Sequence, residues 1–215
     1  MMLLLTLIAS ISAAGAISSF FLPHVPARQP NTPINLNFIL GNFNIIRNTR
    51  YSRTIYLCIL GISWFWLVSS IVLNEIPVLI KDVVNAKPGV LTLSLATFGI
   101  GIAAGSFLCH KLLKDRIEAT YVPLAAFGIS FLLYDLASVI HSLNTPAQPL
   151  GMVAFLSYWL HWRIIFDFFS IGLLGAMYHV PLYTIMIHES PESERSRVIV
   201  CHNIVSTCFI IAGSL

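Results

Sequence analysis

The chain has 215 residues, 57% of them hydrophobic and 10% charged, and its formal net charge is only +3. A soluble domain carries roughly a quarter charged residues, so at a mean hydropathy of +0.83 this chain lacks the polar surface that water demands, and its solvent is lipid. No basic stripe interleaves with aromatics, which excludes nucleic acid as a partner.

A helix crosses the hydrocarbon core with about 20 apolar residues. Six stretches approach or reach that length: Met1–Leu22, Thr54–Asn74, Leu91–Cys109, Tyr121–Ile140, Ile164–Ile187 and Val198–Leu215. None alternates polar and apolar residues, so a membrane barrel is excluded. The predicted fold class is therefore all-α integral membrane, with about six transmembrane helices.

The first stretch lacks the positively charged start of a signal peptide and runs on into Pro23 without a polar gap. It is expected to be a retained span covering residues 1–22, with a cleaved leader as the alternative. Residues 23–53 follow as a linker, opened by Pro23, Pro26, Pro30 and Pro33, which oppose a long helix. Its later part, Asn37–Arg53, is either solvated or laid on the membrane surface with its arginines toward lipid phosphates. Residues 54–215 then form a helix bundle of five spans.

Nine of the twelve basic residues fall in the first, third and fifth connections: Arg28, Arg47, Arg50, Arg53, Lys111, Lys114, Arg116, Arg195 and Arg197. Lys81, Lys87 and Arg163 lie on the other side. This bias places the odd connections in the cytoplasm and the N-terminus outside. Between the fourth and fifth spans, Leu150–Trp162 is apolar but too short to cross, and its aromatics suit an interfacial segment.

Charges inside spans are the informative ones, because each costs about 2.5–3.5 kcal/mol at a helix centre. Asp135 sits deep in the fourth span, directed away from lipid into a polar cavity or toward a neighbouring helix. Arg163 and Asp167, four residues apart, share a helical face and are expected to pair, with Asp167 also suited to the helix N-terminus. Glu75 closes the second span beside Pro77 as an interfacial carboxylate. Trp64 and Trp66 are too deep for an interfacial belt; they line a lipid-facing cleft or fill core. Gly101-x-x-x-Gly105 is a close-packing signature of membrane helices.

His110 and Asp115 fit the His-x4-Asp pattern of glycerolipid acyltransferases, in which a carboxylate orients a histidine base. That spacing alone is a weak signal, and no phosphate-binding segment follows it. Cys58, Cys109, Cys201 and Cys208 show no metal-ligand spacing and read as packing residues, so no metal or cofactor is implied. No nucleophile–base arrangement is present, and the chain is expected not to be an enzyme.

Several stretches together, and in order, resemble one family. Leu60-Gly-Ile-Ser-Trp-Phe-Trp66 resembles the seventh span of bacterial lysophospholipid transporters of the major facilitator superfamily, which occur alone or fused ahead of acyltransferase and acyl-carrier-protein synthetase domains. Val90-Leu-Thr-Leu93, Gly99-Ile-Gly-Ile102, Gly105-Ser106 and Leu108-Cys109 are similar to the eighth span. Ile117-Glu118, Val122-Pro123 and Asp135-Leu136 are similar to the ninth. His161-Trp-Arg163, Phe166-Asp167 and Val180-Pro-Leu-Tyr183 are similar to the tenth, and Arg195-Ser-Arg-Val198 with Asn203-Ile204 to the next loop and eleventh span.

The resemblance implies a partial major facilitator fold covering about the sixth to eleventh spans, residues 23–53 being the central cytoplasmic linker. It further implies lysophospholipid movement across the bacterial cytoplasmic membrane. Asp135, Arg163 and Asp167 would line a polar cavity, with Trp64 and Trp66 nearby and Glu75 as a further contact, in gating and headgroup recognition. The implied partners are membrane lipids, a lysophospholipid substrate and a separately encoded N-terminal half. Two alternatives stand: a remnant that persists as a membrane or interaction protein, and an acyltransferase using His110 and Asp115.

Overall fold

A computed structural model describes residues 2–21, 53–113, 118–143 and 146–215. The elements are α1 (Met2–Ser19), α2 (Arg53–Val78, running into a π-helical turn at Leu79–Val83), α3 (Pro88–Leu113), α4 (Val122–Ser142), α5 (Met152–Leu156), α6 (Trp159–Glu189) and α7 (Arg195–Ser214). Among the described residues there is no strand, only one isolated parallel bridge between Ala86 and Leu150. Five helices are long and apolar enough to cross a membrane: α2 with its π turn, α3, α4, α6 and α7. The chain is an all-α, multi-pass membrane protein.

Helix α1 belongs to one compact unit and the five long helices to another. In α1 the hydroxyls of Ser18 and Ser19 donate to the carbonyls of Ala14 and Ala16, so neither is left bare in an apolar setting. The linker expected over residues 23–53, including its surface-helix alternative, lies outside the described residues up to Arg53. So do Lys114, Asp115 and Arg116.

Within the bundle the helices alternate in direction, as successive crossings must. The serine hydroxyls of Ser63 on α2 and Ser206 on α7 meet at 3.1 Å, and the Ser70 hydroxyl donates to Ile210 O further along both helices. Contacts that advance together mark α2 and α7 as parallel. Gly101 faces Phe169 and Gly105 faces Leu173, so α3 and α6 are parallel too. Arg163 meets Asp135 while Leu174 meets Gly128, a falling register that makes α4 and α6 antiparallel.

Helix α6 is the hub, packed against α2, α3 and α4. Its contact with α3 has no room for side chains. A Cβ added at Gly101 would strike the Phe169 carbonyl, one at Gly105 the Leu173 backbone, and one at Gly172 the Phe98 carbonyl. Glycine removes that obstacle and lets the backbones touch, which in lipid replaces the missing hydrophobic drive with dispersion contacts. The expectation drawn from Gly101-x-x-x-Gly105 is met, with Gly172 as its reciprocal. One core lies among Ile76, Ile80, Val90, Leu136, Phe155, Ile164 and Phe168, and another joins Ile55, Ile59, Ile62, Met186 and Val198.

Several sequence boundaries need correction. The second span does not end at Asn74: the helix passes Glu75 and Pro77 and continues to Val83, because Ile76, Leu79 and Ile80 beyond them are buried. The π turn follows Pro77, whose ring opposes the regular ladder. Leu150–Trp162 is not one continuous element. It divides into the short α5 and the first turn of α6, which at 31 residues is about 46 Å long. Asn85 adopts a positive φ of 49°, where its short polar side chain is tolerated, and its amide donates to Pro146 O at 2.8 Å. The π turn and α5 are thereby tied at one end of the bundle, with Lys87 donating to Leu150 O at 2.9 Å.

Gly101→Ala or Gly172→Ala should lower stability in detergent micelles by about 1–3 kcal/mol, as overpacking does. Gly99→Ala, with open space where the methyl would go, should change it by under about 0.5 kcal/mol. Equal effects at the three positions would contradict the backbone contact.

Candidate functional site

Polar side chains gather at two levels of α6, each as a pair spaced four residues apart. Nearer its N-terminus are Arg163 and Asp167. Arg163 is held in place from below: His161 Nδ1 lies 2.8 Å from Phe155 O while its ring stacks on Phe155 at 4.3 Å, and Trp162 Nε1 donates to Leu156 O at 2.9 Å. These bonds fix the junction between α5 and α6, and hence the exit direction of the next side chain.

The Arg163 guanidinium donates to Asp135 Oδ1 on α4, forming an ion pair between helices. The pairing expected within α6, Arg163 with Asp167, is not the one formed. Asp135 reaches the arginine from across the groove, and Asp167 stays behind it, 2% exposed, with Oδ2 buried and without a hydrogen-bond partner. The dipole argument for Asp167 also lapses, since α6 begins at Trp159 and the residue lies two turns inside. The three residues are nonetheless brought together as one cluster of two carboxylates and one guanidinium. Asp135 stands seven residues before the end of α4, about 10 Å of helix.

The second level is a chain of rings and hydroxyls that sequence reading missed. Ser63 on α2 meets Ser206 on α7, and Ser206 Oγ lies 3.2 Å from His202 Nδ1. The His202 ring contacts Tyr183, which stacks on His179 at 5.8 Å, and His179 meets the edge of Trp66 at the same separation. Tyr178 donates to Gly61 O at 3.1 Å. His179 with Tyr183, and His202 with Ser206, are each four apart inside apolar spans. That spacing is the signal the sequence offers for them.

Between the two levels lies a cavity of about 270 Å³ among α2, α3, α4 and α6. Phe65, Trp66, Phe98, Ile102 and Ile171 make its walls, Gly172 and Gly175 open its floor, and Ser69, Ser106 and His179 are its polar groups. Trp66 is therefore a cavity residue. Trp64 is 59% exposed and lines a separate depression with Ala126 and Ser130. Glu75 is exposed at a third hollow between α2 and α4, beside Ile140. The six residues singled out from sequence thus divide into the charged cluster, one cavity wall and two outlying positions. His110 is exposed at the end of α3, and its proposed partner Asp115 lies outside the described residues.

Because Arg163 is the single cation between two carboxylates, removing it should harm more than removing one of them. Arg163→Gln should cost about 1–3 kcal/mol more in unfolding stability than Asp135→Asn, since the latter leaves Asp167 within reach of the arginine. A smaller cost for Arg163→Gln in the same micelles would contradict the assignment. Comparison with known proteins finds no matching family model, no matching curated protein and no matching solved structure.

Proposed function

We propose that the chain is a membrane transporter of the major facilitator superfamily, acting on lysophospholipid at the bacterial cytoplasmic membrane with its N-terminus outside. The observation that supports this reading best is the apolar, aromatic-walled cavity of about 270 Å³ inside a multi-pass bundle, with polar groups at its rim and an Arg163–Asp135 pair one level away. An amphiphile needs this combination: apolar walls for a chain, and fixed polar groups for a head.

In this reading Trp66, Phe98 and Ile171 accept the apolar portion, while the charged cluster meets the headgroup. Asp135 and Arg163 also bridge α4 to α6, so opening or closing that bridge is a gate. No bond in the substrate is made or broken. Alternating access in this superfamily rocks two halves about a central site, so the working unit in this reading includes both halves.

The test is uptake of labelled lysophosphatidylethanolamine by vesicles containing the chain, alone and together with the product of any adjacent upstream reading frame. Uptake above empty vesicles is expected, and Asp135→Asn should reduce it roughly tenfold, the equivalent of one charge-assisted contact. Verified insertion with no uptake in either arrangement would replace this reading with that of a non-transporting remnant. Acylation of the lipid by the purified chain would replace it with the enzyme.

A further inference from the structure

Helices α2 and α4 both pack on α6 and leave between them a groove of about 530 Å³. Val68, Val72, Glu75 and Leu79 of α2 face it, spaced three or four apart, opposite Leu133 and Ile140 of α4. Glu75 is the one charged group on its walls. It is exposed, and among the described residues it joins no ion pair. We propose that this groove seats one acyl chain of a bilayer phospholipid whose primary ammonium headgroup bonds the Glu75 carboxylate.

Depth and charge select the headgroup. Helix α2 with its π turn has 31 residues, about 46 Å of helix, against a hydrocarbon core of about 30 Å. Centred on that core, it puts Glu75, which precedes the helix end at Val83 by two turns, just inside the edge of the hydrocarbon. A bare carboxylate is expensive at that depth, and the protein brings it no cation. Arg163 is taken by Asp135, and Lys81 and Lys87 lie further along the chain, outside the groove walls. A headgroup ammonium reaches this level from the membrane surface and offers three donors for a charge-assisted bond. A quaternary ammonium has no N–H to donate and an anionic headgroup is repelled, so the carboxylate favours a primary amine.

Width decides between a lipid chain and a partner helix. From Val68 to Val83 the groove follows about 22 Å of α2, which leaves it a mean cross-section of about 24 Å². A helix about 10 Å across needs about 80 Å². An extended polymethylene chain fits; a helix does not. The other walls are aliphatic except for Phe168, as a hydrocarbon chain requires. Val68 and Leu133 also border the depression at Trp64, so the chain runs from Glu75 toward the middle of the bilayer. The lipid thereby fills space between α2 and α4 that no side chain fills.

The site stands without the transporter reading, and its test measures no transport. The full chain, stripped of lipid in detergent, is offered equimolar phosphatidylethanolamine, phosphatidylcholine and phosphatidylglycerol with identical acyl chains, and the lipid it retains is read by native mass spectrometry. The wild type should retain phosphatidylethanolamine about tenfold over either competitor, the equivalent of one charge-assisted contact. Glu75→Gln should retain all three about equally. Asp82→Asn, which removes a carboxylate outside the groove walls, should keep the preference. Ala137→Phe, which fills the groove, should lose the bound lipid with Glu75 intact. Stepwise N-methylation of the headgroup should lower retention by the wild type, a measurement that needs no variant to fold. Equal retention of the three lipids by the wild type, a preference that survives in folded Glu75→Gln, or displacement of phosphatidylethanolamine by equimolar lysophosphatidylethanolamine would overturn the proposal, the last by making the groove part of the substrate's path.

Discussion

The backbone contact between α3 and α6 is what the rest of the bundle depends on. Between lipid-solvated helices there is no hydrophobic gain from hiding one apolar face against another, because lipid tails solvate those faces equally well. Association has to come from closer atomic contact than lipid can offer. Gly101, Gly105 and Gly172 supply it by letting main chain meet main chain. Half of the most apolar window of α6 is buried, against 22–28% in the other spanning helices. A helix so enclosed becomes the frame on which every neighbour is positioned.

That enclosure explains where polar groups can be afforded. Hydroxyls on the spanning helices close onto their own backbone: Ser94, Thr97, Ser106, Ser130, Ser138, Thr184 and Thr207 each donate to the carbonyl four residues earlier. These residues are cheap anywhere along a span. Charged and aromatic-polar side chains have no such local solution and need a second helix. They occur where α6 meets α4, and where α6 and α7 meet α2, which are the places a partner is available.

The membrane class and nearly every span were legible because both follow from hydropathy summed over about twenty residues. The glycine contact was legible because small residues four apart admit few other uses in an apolar run. Helix ends were less so. Asn74 and Glu75 look like a terminus by polarity, yet Ile76, Leu79 and Ile80 keep the segment buried past Pro77. The site was half legible: Asp135, Arg163 and Asp167 stand out as charges, but periodicity within one helix favours a partner on that helix. Whether Arg163 turns to Asp167 or to Asp135 depends on how α4 lies against α6, which one strand of sequence does not carry. The ring chain of His179, Tyr183 and His202 needed the same tertiary knowledge.

Along α6 the side chains change character in a fixed order. Arg163 and Asp167 face α4, the glycine-opened stretch from Ile171 to Ala176 borders the cavity, and His179 with Tyr183 faces α2 and α7. Sixteen residues separate Arg163 from His179, about 24 Å of helix. Each polar pair is spaced four apart and so forms a compact patch, while the twelve residues from Asp167 to His179 turn the second patch by about a third of a revolution. A single helix thereby presents ionic, apolar and aromatic-polar surfaces to three different neighbours without placing a bare charge against lipid. Any relative movement of α4 against α6 must act first on the ionic patch, because that patch alone bonds across their groove through charged side chains on both sides.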